Sequence, residues 1–208
     1  MMNCLDFNDR IIAGQGKEKL IIDKLNHYCP IEFNNLTIQG LYKSELHEDM
    51  RQKIDAWATC TDETIPPYVQ VGSQSVQIKY RPEGYDLGIA LLRPWISLED
   101  FRSEFITDNI HFDRDAITKV DYYAFYCEES KLLGIVDQWA VQRVCVILLE
   151  SLFLSDGFED GVFRTERYGA ELRLVTDQGQ GYTEGQQKVI CYIKPALIEQ
   201  LGGKLWIG

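Results

Sequence analysis

Histidine is scarce in this 208-residue chain, with only His27, His47 and His111, and its six cysteines include no C-x-x-C pair. A zinc site needs clustered thiolates and imidazoles, so none is expected. Cys4, Cys29, Cys60, Cys127, Cys145 and Cys191 read instead as reduced thiols, several of them buried as small hydrophobes. Proline is also sparse, at six, and 12% of residues are aromatic; no stretch has the polar composition of a linker or a disordered tail. The longest apolar run, Val144 to Leu149 and on to Leu154, is broken by Glu150 and Ser151 and is too short to cross a bilayer. Met1 to Asp6 lacks the basic stretch and apolar core of a secretory signal, so a cytoplasmic protein is expected. Positive charge is short as well, 21 Lys and Arg against 32 Asp and Glu, for a net charge of -11. That balance opposes a broad nucleic-acid surface, although binding depends on local fields rather than on the sum.

Hydrophobic residues make up 45% of the chain, enough for a sizeable core, and one domain over 1–208 is expected, with a core at about 14–153 and an elaboration at about 154–208. Ile21, Ile22, Leu25 and Tyr28 stand at helical spacing, which predicts a helix from Gly16 to Tyr28 ended by Pro30. Glu45, His47, Glu48 and Asp49 mark a loop or short helix. Lys53 to Cys60 alternates Ile54, Ala56 and Ala58 against Asp55, Trp57 and Thr59, and Ser75 to Arg81 alternates Val76, Ile78 and Tyr80 against Gln77, Lys79 and Arg81. Both predict strands, separated by the Pro66-Pro67 break. Further strands are expected at Gly84–Leu92 and Lys119–Tyr126, the latter in a hairpin with Leu132–Val136 through Glu128-Glu129-Ser130. Asp137 caps a helix reaching about Phe153, whose buried face is expected to hold Trp139, Val141, Val144, Cys145, Leu148 and Leu149. Strands at Phe163–Val175 and Lys188–Ile193 and a short helix after Pro195 complete a mixed α/β order.

One constellation carries chemistry. Hydrolysing a phosphodiester calls for a divalent cation held by oxygen ligands on rigid elements. If the Asp55 strand and the Gln77 strand are neighbours, Asp55 and Gln77 supply two such oxygens. Lys79 then shares the face of Gln77, because side chains two apart in a strand point the same way. Its ammonium would orient a water or offset charge developing on the phosphate. Glu18, three residues before Ile21, lies on the apolar side of its helix, where a carboxylate needs a partner.

Glu18 on a helix, Asp55 in Lys-Ile-Asp-Ala-Trp, and Gln77-Ile78-Lys79 in Val-Gln-Ile-Lys-Tyr-Arg resemble the PD-(D/E)XK, restriction-endonuclease-like nuclease superfamily. The resemblance covers about residues 14–92 and is nearest to nucleases of phages, mobile elements and restriction systems. It implies an αβββαβ core, with extra C-terminal strands and a short helix in this chain. It also implies Mg²⁺ (or Mn²⁺) dependence, DNA as substrate and a homo-oligomer. By that resemblance Asp55, Gln77 and Glu18 bind the metal and Lys79 assists catalysis. Two positions depart from the pattern: Gln77 stands where Asp or Glu is usual, and Ile54 where the nominal proline would be.

The same residues have plainer readings. Asp55 could be an exposed strand residue or turn partner, Gln77 and Lys79 a solvated strand face, and Glu18 a helix-dipole partner. Arg81, Arg164, Arg167 and Arg173 are candidate phosphate contacts, but the Glu166 between two of them suits a salt-bridged surface. Asp86, after the Lys79 strand, reads as a strand-end residue or as a stand-in acid. Gly179, Gly181 and Gly185 form a turn rather than a phosphate loop, since no Gly-Lys-Ser/Thr follows. Besides a metal-dependent endonuclease, a catalytically silent nuclease fold kept for binding and an acidic interaction protein, such as an immunity factor or nucleic-acid mimic, fit the sequence.

Overall fold

The computed structural model describes residues 7–33, 36–45, 54–62, 69–90, 120–154, 162–165, 169–176 and 187–208. The chain forms two compact units, one from Met1–Gly84, Val120–Val136 and Gly202–Gly208, the other from Tyr85–Lys119 and Asp137–Leu201. Helices and strands together make it a mixed α+β protein. Among the described residues, no helix is long and apolar enough to cross a membrane.

In the first unit, helix α1 (Phe7–Tyr28) precedes strands β1 (Ile31–Phe33), β2 (Leu36–Lys43), β3 (Ala56–Asp62) and β4 (Val69–Arg81). These strands form an antiparallel meander. Later in the chain come β6 (Tyr122–Cys127), β7 (Leu132–Asp137) and β11 (Lys204–Ile207), completing a seven-stranded sheet in the order β1-β2-β3-β4-β6-β7-β11. β6 runs parallel to β4, with Gln77 beside Tyr123 and Lys79 beside Phe125. The expected hairpin of β6 with β7 is present, turning through Glu128 to Lys131.

α1 begins nine residues before the predicted Gly16. Gly14 and Gly16 each cost a helix roughly 1 kcal/mol relative to alanine, which marks an apparent start, but packing further along outweighs that cost. Ile21, Ile22 and Leu25 pack on Ile38, Leu41, Ala56, Ala58, Val76, Ile78, Tyr122, Ala124 and Tyr126. Asn26 fastens the helix to β2, its side-chain N–H donating to the Leu41 carbonyl (2.8 Å) and its Oδ1 accepting from the Leu41 amide (2.6 Å). Tyr28 stacks on Trp206 at 4.7 Å, tying the helix end to β11. β1, β2 and β11 are absent from the sequence expectation: β1 and β11 span only three and four residues, and β2 is interrupted by a register shift between Ile38 and Gly40.

In the second unit, β5 (Leu87–Ala90), β8 (Val162–Thr165), β9 (Ala170–Thr176) and β10 (Gln187–Ile193) form an antiparallel sheet ordered β5-β10-β9-β8. Helices α2 (Gln138–Leu154) and α3 (Pro195–Gln200) belong to it. The single strand expected over Phe163–Val175 is two, β8 and β9. Gly169 at φ +64 leads into β9, and a Cβ there would stand 3.3 Å from Leu197 Cβ, so both conformation and space call for glycine. The α2 face also differs from expectation. Asp137 Oδ1 does accept the Ala140 amide at 2.9 Å, and Val141, Cys145 and Leu148 form the buried stripe. Trp139 is 71% exposed, because two residues before Val141 is roughly 200° away around a helix. The side chain of Leu149 and the segments holding His47, Pro66-Pro67 and Gly179 to Gly185 lie outside the described residues.

Candidate active site

Alternation along β4 sorts its side chains. Val76, Ile78 and Tyr80 meet the α1 cluster, so Ser75, Gln77, Lys79 and Arg81 belong to the opposite face of the sheet. β6 repeats the division, with Tyr122, Ala124 and Tyr126 under α1 and Asp121, Tyr123 and Phe125 on the second face. Apolar burial accounts for the first face. The second holds polar groups that are just as deeply buried: Ser75 is 3% exposed and Gln77 4%.

Asp55 immediately precedes β3 and is itself buried. Its amide donates to the Val76 carbonyl (3.0 Å), and its Oδ2 accepts the Ile78 amide at 2.6 Å. Its carboxylate therefore reaches the β4 backbone between Gln77 and Lys79, so the expected neighbourhood of Asp55 with the Gln77-x-Lys79 strand is present. Ser44 flanks the same corner, its hydroxyl donating to the Ile54 carbonyl at 2.5 Å and its amide to the Asp55 carbonyl at 3.2 Å.

Gln77 Oε1 is buried and accepts no hydrogen bond from the described residues. A buried carbonyl oxygen left so costs on the order of 1–3 kcal/mol. It is the kind of oxygen a hard cation or an incoming donor satisfies. Lys79, on the same face, is half-buried. Glu18 stands apart. Its Oε2 makes no conventional hydrogen bond but lies 3.0 Å from Lys43 Nζ, an ion pair that supplies its partner. Lys43 pairs in register with Ala56, whose side chain packs in the α1 cluster, so Glu18 is engaged on the helix-covered side of the sheet.

Asp121 is a carboxylate that sequence reasoning missed. At the mouth of β6, its Oδ2 accepts from the Ser75 amide (2.7 Å) and the Ser75 hydroxyl (2.8 Å), while its own amide donates to Ser75 Oγ (3.1 Å) and to the Ser75 carbonyl (2.9 Å). The lock fixes β4 against β6 two residues before Gln77. A signal was present: Asp121, Tyr123 and Phe125 alternate on the face opposite Tyr122 and Ala124, as a half-polar strand requires.

Taken as donors for a hard divalent cation, this face offers the Asp55 carboxylate and the Gln77 amide oxygen. Among the described residues no three His, Cys, Asp or Glu side chains cluster for a metal. The fit therefore rests on Gln77 Oε1, the orphaned oxygen, and on one carboxylate anchored at the next residue of β4.

Of the arginines, Arg81 ends β4 and Arg173 lies on β9 in the other unit, donating from Nε (3.0 Å) and a terminal nitrogen (2.6 Å) to Glu171 Oε1 and lying 4.9 Å over the Tyr192 ring. That is a salt-bridged surface arginine. The side chain of Arg164 and all of Arg167 lie outside the described residues. Asp86 directly precedes β5, as a strand-end residue does. The described cysteines are free thiols, with Cys60, Cys127, Cys145 and Cys191 buried. Burial, reinforced by the Asp121 charge, pushes the Cys60 thiol up to about 11, and a hydrogen bond with Cys145 together with burial raises Cys191 well above its ordinary value. Compared with known proteins, the chain matches no protein-family model, and neither curated proteins nor solved structures give a significant match.

Proposed function

We propose that the second face of the large sheet is the site of a metal-dependent phosphodiester hydrolase acting on DNA, with Asp55, Gln77 and Lys79 as its working residues. The observation that carries this reading is the buried, unsatisfied Gln77 oxygen beside a carboxylate that reaches across to the same stretch of β4. Part of the strand arrangement supports it: after α1, the successive strands β2, β3 and β4 run antiparallel and β6 lies parallel to β4. The likeness to the restriction-endonuclease-like core is partial, since β1 precedes these strands and β5 of the other sheet comes between β4 and β6.

Asp55 and Gln77 would hold Mg²⁺ or Mn²⁺. The bound cation would polarise the phosphate and lower the pKa of a coordinated water. Asp55 is positioned by the Ile78 amide. Lys79, whose side chain leaves β4 on the Gln77 face, would orient the water and offset the charge that grows on the phosphate as the water oxygen bonds to phosphorus and the ester oxygen departs. Arg81, two residues on, adds a second cation to that face. Local charge of this kind is what lets a chain of net charge -11 approach a polyanion. Glu18 is left out of the mechanism because Lys43 holds it.

A second reading, a nuclease fold retained for binding without cleavage, is favoured by the burial of the same residues. Asp55 is 9% exposed, and one of its oxygens is already engaged by a backbone amide. Incubating supercoiled plasmid and single-stranded DNA with the protein in Mg²⁺ or Mn²⁺ separates the two. Hydrolysis is expected from the wild type, falling at least about 100-fold in Asp55→Ala and in Lys79→Ala. Cleavage that survives both substitutions would overturn the site, and no cleavage by wild type would favour the silent fold.

A further inference from the structure

At the outer side of α1 lies a recess of about 360 Å³, wholly within the first unit. That volume falls in the range of small-molecule sites, roughly 300–1,000 Å³. Its floor is the buried pair Tyr126 and Leu133, and Leu20 and Tyr28 supply apolar walls. The second face of the sheet takes no part in it, since Tyr126 and Leu133 belong to the α1 cluster.

The charges on this recess are lopsided for so acidic a chain. Lys24 and Lys131 are its cations, Asp23 is its acidic side chain, and His27 and Gly208 also line it. Asp23 is already engaged by Lys19 at 2.7 Å. The nearby turn acids are also committed, Glu128 to the Tyr80 hydroxyl and Glu129 to the Gly84 amide. Lys24 Nζ stands 4.8 Å over the Tyr126 ring, which holds an ammonium above the floor of the recess.

Lys131 is positioned by its turn. It has a φ of +55, a left-handed conformation that costs a lysine about 1 kcal/mol and that glycine or asparagine would take more easily. The turn holds it there, its amide donating to the Glu128 carbonyl (3.3 Å) and its carbonyl accepting from the Gly208 amide (3.2 Å). The left-handed residue closing a hairpin turn thus sets the Lys131 side chain at the rim of the recess.

We infer that this recess binds a small planar ring bearing a phosphate or carboxylate group, with the ring against Tyr28, Leu20 and Leu133 and the anionic group between Lys24 and Lys131. Mononucleotides and aromatic acids share that chemistry. The inference does not depend on the hydrolase reading, because it uses none of the residues of that site.

Calorimetric titration with adenosine monophosphate, phenyl phosphate, phenylacetate and inorganic phosphate tests it, using the wild type, Lys24→Gln and Lys131→Gly. Both substitutions fall on exposed or half-buried side chains, and glycine suits the turn, so circular dichroism should be unchanged. Saturable one-to-one binding is expected for at least one ring-bearing anion at about 1 mM or tighter, weaker by at least about fivefold in each variant, with inorganic phosphate the poorest probe. Preference among the ring-bearing probes tells phosphate from carboxylate. The inference is overturned if none of them saturates, if inorganic phosphate binds as well as they do, or if both variants bind like the wild type.

Discussion

The two faces of the large sheet are buried to a similar depth by different means. Beneath α1, Ile21, Leu25, Ile38, Val76 and Ala124 are fully enclosed, and the polar groups at its edges, Asn26 and Glu18, each have partners. On the other face, Ser75, Gln77 and Asp121 take positions where Val or Ile would seal the sheet more cheaply. Ser75 and Asp121 satisfy one another, and Gln77 Oε1 does not find a partner among the described residues. The first face is explained by stability. The second keeps a polar cost that stability does not ask for, and such exceptions to local consistency tend to fall at functional sites.

The comparison can be broken at either face. The largest effect belongs to the helix side, where Leu25→Ala should cost about 2–5 kcal/mol in denaturant unfolding, because a fully buried leucine leaves a cavity the sheet cannot close. A loss below about 1 kcal/mol would mean that α1 is not the lid of that core. A smaller effect of opposite tendency is expected from Gln77→Leu. Replacing an unsatisfied amide with a similar apolar side chain should leave stability unchanged or raise it by up to about 1 kcal/mol. Destabilisation of about 2 kcal/mol or more would show that Gln77 holds the fold together and would remove the distinction between the faces.

The smallest effect is a pH dependence at the edge of the helix face. The Tyr80 hydroxyl donates to Glu128, and that bond, ahead of burial and nearby charge, pushes Tyr80 up to about 12. Its contribution to stability is complete below pH 10, the ordinary tyrosine value, and fades as pH rises through about 12. Spectrophotometric titration should show one late-ionising tyrosine that moves to lower pH in Glu128→Gln. An unchanged titration would put the cause elsewhere.

Much of this contrast is legible in the residue order. The alternation of Val76, Ile78 and Tyr80 against Gln77 and Lys79 is a property of the pleat, so the face division could be read before any coordinates, and so could the α1 stripe of Ile21, Ile22 and Leu25. β1 and β11 were not legible, since three or four residues carry too little periodicity, and their place depends on neighbours distant in sequence. Trp139 misleads for a related reason: hydrophobicity suggests burial, while its angular position on α2 leaves it outside. The partner of Glu18 was equally hidden, because Lys43 lies 25 residues away and meets it only through packing of α1 on β2. Asp55 was found by pattern, but its bond to the Ile78 amide depends on local strand geometry that no spacing encodes.

The most direct test of the contrast is calorimetric titration of Mn²⁺ into the wild-type protein and into Gln77→Leu, with the unfolding free energy of both as the control. The second face should bind one Mn²⁺ with a Kd of about 1 mM or tighter in the wild type and lose it in the equally stable variant. No Mn²⁺ binding by the wild type, or the same binding by both proteins, would contradict a metal site built on Gln77.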